Sequence, residues 1–359
     1  MTETQKAYPD GGVPEGSPEK NPVSFIQDNR KAVVDQLILL IEEGKTFYSP
    51  RWSSSAMRPR NPISGALYHG SNRLILMQSA LLNGYKDPRW MTFKQLSEKG
   101  YFVKKGERAV RLEKWIFTQM QPKEGPDGLP MTGRNGKVIY EEVQLDRPRC
   151  NLFSVFNGEQ IKDFPKYEPK ELLSGELGRR IEALLQSSEC PIHEAAQDKS
   201  FYKPGTDEIY LPLRSSFRDM TAFAEVAAHE MVHSTGHPGR LNREFGIWPP
   251  LGKPDEKYCL EELRAELGSV FLMNDLEIPV TDLEMEGSAA YMEGYLNAIK
   301  ENPNLLFRIA SDAEKAGEYL LRNYRMVYDI DLSVEPVPEH KKTYFRQMEE
   351  PAMEKGLAM

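Results

Sequence analysis

Between about Ser24 and Glu43 the apolar residues Phe25, Val33, Val34, Leu37, Leu40 and Ile41 recur at three- and four-residue spacing, which predicts an amphipathic helix. A second helix is predicted over Ser71–Leu82, ended by Asn83-Gly84. From Pro88 to Gln119 helix-like and strand-like pieces alternate. The KKGE stretch reads as a turn before RAVRLEKWIF, a β-prone aromatic run. Residues 121–136 (QPKEGPDGLPMTGRNG) read as a mobile hairpin tip. VIYEEVQL and NLFSVFNGEQI then read as two strands separated by a polar DRPR turn.

Beyond Phe164–Pro169 the pattern becomes mainly helical. Helices are predicted over Glu171–Gln186, Thr221–Thr235, Leu260–Asn274 and Ser288–Ile299, with short strands near Pro191–Glu194 and Glu208–Leu211. Periodicity is lost after Tyr324. The predicted organisation is a disordered lead over 1–22, a first module over 23–165, a second over 170–330 and a flexible tail over 331–359. No internal repeat is visible.

Charge sharpens this division. The net charge of -8 conceals 20 Lys and Arg against 12 Asp and Glu over residues 31–150, and 23 against 37 over residues 151–359. A basic half beside an acidic one points to different partners, with a phosphate backbone the usual partner of the basic half. Three widely spaced cysteines (Cys150, Cys190, Cys259) without C-x-x-C argue against a disulfide framework or a thiolate metal knot. The polar start lacks a signal-peptide core, and no apolar run is long enough for a membrane span. A cytoplasmic protein with no membrane partner is expected.

The sharpest chemical signal is AEVAAHEMVHSTGH, which holds H-E-x-x-H at His229, Glu230 and His233. On a helix, residues four apart lie on one face, so both imidazoles can reach one ion, and zinc suits that donor type. Glu230 would stand beside the ion and take a proton from the attacking water. A histidine six residues after the second ligand would define one zincin subclass, but Gly239 stands there. His237 follows Thr235-Gly236, which should break the helix and turn its ring away. The other subclass takes a glutamate from a later helix. KYCLEELRAELGSVFL offers Glu261, Glu262 and Glu266, with Leu263, Leu267, Val270 and Phe271 facing the core. Glu262 is placed as the ligand and Glu266 as the carboxylate orienting a ligand histidine; spacing leaves the reverse order open. Upstream, FYKPGTDEIYLP could form an edge strand for an extended peptide. Tyr202, Asp207 and Tyr210 lie within or beside it, each more simply structural.

The first module interleaves cations with aromatics, the combination single-stranded nucleic acid needs for phosphate tracking and base stacking. Candidate DNA-binding residues are Arg58, Arg60, Tyr68, Asn72, Arg73, Trp90, Lys104, Lys105, Arg108 and Trp115. For any single tryptophan, a core position is the simpler reading.

Several stretches carry a resemblance in order and spacing: NPISGALYHGSN, DPRWMTF, KKGE and VFNGEQI in the first module, then FYKPGTDEIYLP, HEMVHSTGHPGRLNR, YCLEELRAELGSVFL and SDAEKAGEYLL in the second. Over about residues 25–325 the chain resembles the ArdC-type antirestriction proteins of plasmids and other mobile elements, related to TraC-type plasmid primase proteins. The resemblance implies an N-terminal single-stranded-DNA-binding α+β domain with a β-rich face and a C-terminal zincin-like metallopeptidase α+β domain with a small sheet over the metal helix. It further implies Zn2+ on His229, His233 and a glutamate placed at Glu262, with Glu230 as base, and protection of incoming DNA from restriction. The chain departs from the family at Tyr295, where tryptophan is expected, in the 121–136 loop and in the tail.

The function expected is thus a DNA-binding antirestriction-type protein with a metallopeptidase-like domain. Its partners would be single-stranded DNA (duplex DNA being the alternative) and a protein or peptide substrate. Two other readings compete with it: an active zinc protease cutting a DNA-associated or regulatory protein, and a pure single-stranded-DNA-binding protein with a structural, inactive metal site.

Overall fold

A computed structural model of the chain describes residues 22–43, 58–168, 175–245, 255–279, 288–332 and 346–347. Most of the expected lead, the segment with Arg51 and Trp52, and most of the expected tail lie outside the described residues.

Helix α1 (Pro22–Glu42) buries Val33, Val34, Leu37, Leu40 and Ile41, the stripe visible in the sequence. Helix α2 (Gly70–Asn83) stops where Gly84 takes the left-handed conformation at φ 71° and its N–H bonds Ala80 O, a turn a side chain would strain. Strand β1 (Trp90–Thr92) leads into the short helix α3 (Phe93–Glu98), started by a Thr92–Gln95 capping box. Strands β3 (Val110–Pro122) and β4 (Tyr140–Asn157) form a long antiparallel ribbon that β1 completes in the order β1-β4-β3. β2 (Phe102–Val103) pairs with β5 (Ile161–Lys162).

The DRPR segment does not form a turn. Strand β4 runs straight through it, and the register skips from Ile116↔Arg149 to Thr118↔Gln144. The surplus residues, Pro148 among them, are taken up as an irregularity in β4, where proline costs no ladder bond. The tip at 121–136 holds two tight turns closed by the bridges Glu124↔Pro130 and Thr132↔Val138.

In the second half, α4 (Glu176–Gln186) precedes a sheet of order β7-β8-β6-β9, formed by β6 (Ile192–Ala195), β7 (Phe201–Lys203), β8 (Glu208–Pro212) and β9 (Arg346–Gln347). β6 and β8 are parallel, whereas β7 is antiparallel to β8. Helix α5 (Met220–Ser234) packs beneath this sheet, its first turn capped by the Asp219 carboxylate accepting from Ala222 N at 2.9 Å. Helices α6 (Glu256–Asp275), α7 (Ser288–Glu301) and α8 (Asn304–Leu332) follow. The sequence pattern as read above predicts no helix over α8, which also runs past Tyr324, where periodicity is expected to fail.

The hydrophobic core does not stop at the change of charge near residue 165. One cluster joins Val33, Leu37, Leu74, Leu76, Trp90 and Leu112 to Leu263, Leu267, Phe271, Tyr295 and Leu306. At its edge Arg73 of α2 is wholly buried, 0% exposed. Its guanidinium meets both Asp275 carboxylate oxygens at 3.2 Å, donates to Phe271 O at 2.8 Å and to Glu314 at 3.3 Å, and lies 4.3 Å over the Phe271 ring. Arg58 adds a 2.5 Å bond to Glu314 and an ion pair with Asp275 at 3.2 Å.

Removing one partner from such a network strands the remaining charges in a dry environment. Arg73→Met should therefore lose about 3–5 kcal/mol of stability in chemical denaturation; a loss below about 1 kcal/mol would place the joint elsewhere. Burial opposes ionisation of Glu314, but His69, Arg73 and Arg58 hold its carboxyl down at about 2, below the ordinary 4.5. Its contribution is then complete above pH 4.5 and disappears as pH falls toward 2. Glu314→Gln should remove that part of the acid dependence, read as the difference between the two acid-unfolding curves.

Candidate metal centre

Helix α5 is Ala-rich where it meets its neighbours: Ala222, Ala224, Ala227 and Ala228 are all buried. Helix α6 crosses close to it at Gly268, where a methyl group would meet Val232 Cγ1 at 2.8 Å. This close crossing brings the start of α6 against the histidine face of α5. His229 Nε2 and His233 Nε2 lie 3.1 Å apart. Glu262 Oε2 is 3.3 Å from His229 Nε2, and Glu262 Oε1 is 3.6 Å from His233 Nε2.

These distances test whether the residues fit a small divalent ion. Donors about 2.0–2.1 Å from one ion at tetrahedral angles stand about 3.3–3.4 Å apart, and the three observed separations bracket that value. One further His–carboxylate cluster occurs among the described residues, at His69, Glu314 and Glu318. There Arg58 already supplies the positive charge, with Nη2 3.0 Å from His69 Nδ1 and 2.5 Å from Glu314 Oε1. Among the described residues no arginine or lysine bonds the His229–His233–Glu262 group.

Burial opposes a charge on His233, but Glu262 and Glu261 lift it to about 10. Glu262 is correspondingly held well below the usual carboxylate range, against the effect of its burial, by His233 and His229. The anionic side of the centre is thus matched to a positive charge at the point the imidazoles face.

The carboxylate behind His233 is Glu261, with Oε1 3.4 Å from Nδ1. Arg243 donates to Glu261 at 2.8 and 3.3 Å and Arg264 at 2.5 Å. Glu261 is thereby held at about 2 despite its burial, by His233 and Arg243. A fixed carboxylate on Nδ1 sets the ring so that Nε2 faces the ion. The sequence reading gave this position to Glu266. That residue lies a turn further along α6, among apolar neighbours, and accepts from Tyr295 Oη at 3.3 Å. Burial and the charge of Glu262 raise it to about 8.

Tyr258, one turn before Glu262, was also missed; its hydroxyl bonds Glu262, and burial with that carboxylate raises it far above the usual tyrosine range. Glu261 was already among the candidate acids. Nothing in the spacing marks Arg243, which reaches the site from the turn after α5 and ties Thr235 and Val232 O as well. Glu230 is buried on α5 beside the triad. His237 lies past the helix end, its Nδ1 accepting from Gly239 N at 3.1 Å. Tyr202 and Asp207 bond each other at 2.7 Å and pair with Arg240, which anchors the same turn. Tyr210 donates to Glu208 at 2.8 Å.

The DNA-binding candidates separate by exposure. Arg73 and Trp90 are wholly buried and Arg58 is engaged with Glu314 and Asp275, so these three cannot face a strand. Tyr68 donates to Trp90 O at 3.2 Å, and Asn72 clasps β3 through Glu113 N and O at 3.0 and 2.8 Å; both make internal ties. Arg60, Lys104, Lys105, Arg108 and Trp115 remain on the surface. Among them, Lys104 Nζ donates to Glu159 O and Arg60 lies 5.9 Å from the Tyr167 ring.

Fold and centre define the class, a protein with a zincin-like metallopeptidase domain in its C-terminal half. Residues 179–312 match the model of that zincin-like metallopeptidase family, and residues 27–156 match the N-terminal domain of the anti-restriction factor ArdC. The chain therefore has a two-domain ArdC-like architecture, an ArdC-type N-terminal domain followed by a zincin-like domain. The antirestriction ArdC protein of plasmid R388 is 27% identical. Its metal-free crystal structure matches with a TM-score of 0.62 over 83% of this chain and 98% of that one. Its Mn(II)-bound structure matches with 0.61 over 82% and 97%. A DNA primase TraC of Escherichia coli is 36% identical over 294 residues, 81% of this chain and 20% of the primase. A second TraC matches at 36% over 80% of this chain and 26% of its own length, so the chain spans about a fifth to a quarter of these relatives. An uncharacterized protein of Sinorhizobium fredii is 27% identical over 82% of this chain and 91% of its own. A zincin-like domain implies a divalent metal. No helix among the described residues is long and apolar enough to cross a membrane.

Glu266 has a distinct pH signature in the metal-free protein. Its folded value of about 8 exceeds the ordinary 4.5, so folding retains a proton that the unfolded chain has released. The resulting stability is complete below pH 4.5 and is lost as pH rises toward 8. Wild type should lose stability relative to Glu266→Gln across that window in paired thermal melts; a constant difference would refute the assignment.

Proposed function

We propose that this chain binds DNA through its first module and protects incoming DNA from restriction, with Zn2+ held by His229, His233 and Glu262 in a centre competent for peptide hydrolysis. The observation that carries this reading is the convergence of those three donors beside Glu230 on one buried helix pair. The metal would supply Lewis acidity toward a carbonyl and make a water nucleophilic at neutral pH. Glu230 takes the proton of the attacking water on its carboxylate and returns it to the leaving amine. Glu261 keeps His233 oriented, and Arg243 and Arg264 keep Glu261 ionised. The R388 ArdC protein is described as antirestriction and has an Mn(II)-bound form, which supports both the biological role and a divalent ion. The surface cations of the first module, Arg60, Lys104, Lys105 and Arg108, would carry phosphate contacts with little sequence preference. By this reading the module division falls near residues 165–170, and the protein acts in the cytoplasm on single-stranded DNA.

His233→Ala should reduce bound zinc from one per chain to near none in elemental analysis, while oligonucleotide binding persists. Glu230→Gln should keep the metal and abolish hydrolysis of any protein the wild type cuts. Survival of unmodified plasmid DNA entering a restricting host then measures protection. Loss of protection in Glu230→Gln ties the role to chemistry, and retention would leave a DNA-binding protein whose metal site is structural. Wild type devoid of bound metal would overturn the centre itself.

A further inference from the structure

The joint between the two halves opens on one side into a cleft of about 530 Å³, within the roughly 300–1,000 Å³ range of ligand sites. One wall is β3, where Trp115 is 45% exposed and stacks on Phe117 at 6.5 Å and 29°. The indole is held in place by groups that also line the cleft: Nε1 donates to Glu113 at 3.1 Å, and the Arg30 guanidinium lies 5.7 Å from the ring. The facing wall is α8 of the second module. There Arg308, Ser311 and Lys315 follow at three- and four-residue spacing, so they share one face, and all three are exposed.

The cleft also contains carboxylates, which would repel a phosphate if free. Two of them are neutralised from behind. Arg30 grips Glu113 at 2.7 and 2.6 Å, and Arg58 and Arg73 hold Glu314 at 2.5 and 3.3 Å. Glu318, on the rim, sits 3.0 Å from His69. Arg308 forms no ion pair among the described residues, and Lys315, itself exposed, pairs with the partly buried Asp312 at 3.4 Å. An aromatic platform thus faces two cations available to an anionic strand, the pairing by which single strands are held.

We infer that this cleft seats a nucleotide of single-stranded DNA, its base on Trp115 and its phosphates at Arg308 and Lys315, so that the metallopeptidase-like half takes part in holding the strand. The inference rests on the DNA-binding reading above and adds a site across the joint.

The test is anisotropy titration of a labelled oligothymidylate at several salt concentrations, with melting curves as the check on folding. Trp115→Ala should weaken binding by about five-fold or more, the lower end of what one stacked base contributes. The double variant Arg308→Ala/Lys315→Ala should lower the slope of log K against log salt by about 1.4, two phosphate contacts' worth. If wild type binds and both variants match it while Lys104→Ala/Lys105→Ala weakens, the strand lies on the first module alone and the inference falls. If wild type binds no oligonucleotide, the DNA-binding reading falls with it. Should a variant fail to melt cooperatively, photo-crosslinking wild type to a bromodeoxyuridine oligonucleotide decides the matter. Cross-linked peptides from both β3 and α8 support the site, and their absence from α8 overturns it.

Discussion

Helix α6 has to satisfy two cores at once, and the rest of the molecule is arranged around that demand. Leu263, Leu267, Val270 and Phe271 enter the core built with α1, α2 and the β-sheet of the first half. Ala265, Leu272, Met273 and Leu276 enter the core beneath the second sheet. A helix clamped on both sides cannot rotate without emptying one of them, because packed interiors do not deform continuously. The acids at its start are consequently fixed relative to the histidines of α5. A change in the first half therefore has a packed route to the centre, through a helix that belongs equally to both halves.

The buried Arg73 belongs to the same arrangement. Burying a guanidinium is costly unless its partners are in place, and those partners, Asp275, Glu314 and Phe271 O, all come from the second half of the chain. The network therefore discriminates more than it stabilises: only one docking of α2 on α6 and α8 leaves no charge stranded. It also changes how the charge asymmetry of the sequence is read. Part of the positive excess in residues 31–150 is spent inside the protein, on acids that part of the negative excess in the second half supplies. The surface field that remains is carried by fewer residues than composition alone implies.

This explains where sequence reading succeeds and fails. Periodicity located α1, α2, α5, α6 and the short strands to within a few residues, since those patterns reflect local burial. The H-E-x-x-H spacing pointed to the histidine pair because four-residue separation is itself a statement about one helix face. Arg73 and Trp90 were misplaced for the opposite reason. A cation and an indole among basic residues look like a nucleic-acid surface, and only the distant Asp275 and Leu263 segments reveal that both are interior. The DRPR segment misled similarly, since its turn-like residues are tolerated as an irregularity once β3 supplies a partner strand. Helix α8 escaped although its pattern is locally complete, with Leu306, Phe307, Ala310, Ala313, Ala316 and Leu320 buried at helical spacing.

Three glutamates within six residues of one helix, Glu261, Glu262 and Glu266, show how position assigns chemistry. Sequence gives them the same side chain, and their spacing puts only Glu262 and Glu266 on one helix face. Glu261 points to arginines and an imidazole, so it stays ionised and acts as a fixed negative charge behind His233. Glu262 faces both Nε2 atoms and is held ionised where an ion would need a donor. Glu266 is wholly buried beside the charge of Glu262, so it keeps its proton near neutrality even though Tyr295 Oη donates to it. Had all three been ionised together in so small a volume, their repulsion would oppose the crossing of α5 and α6. Leaving Glu266 protonated reduces that repulsion, and it does so although Tyr295, where the family resemblance led to tryptophan, donates to one of its oxygens and favours the ionised form.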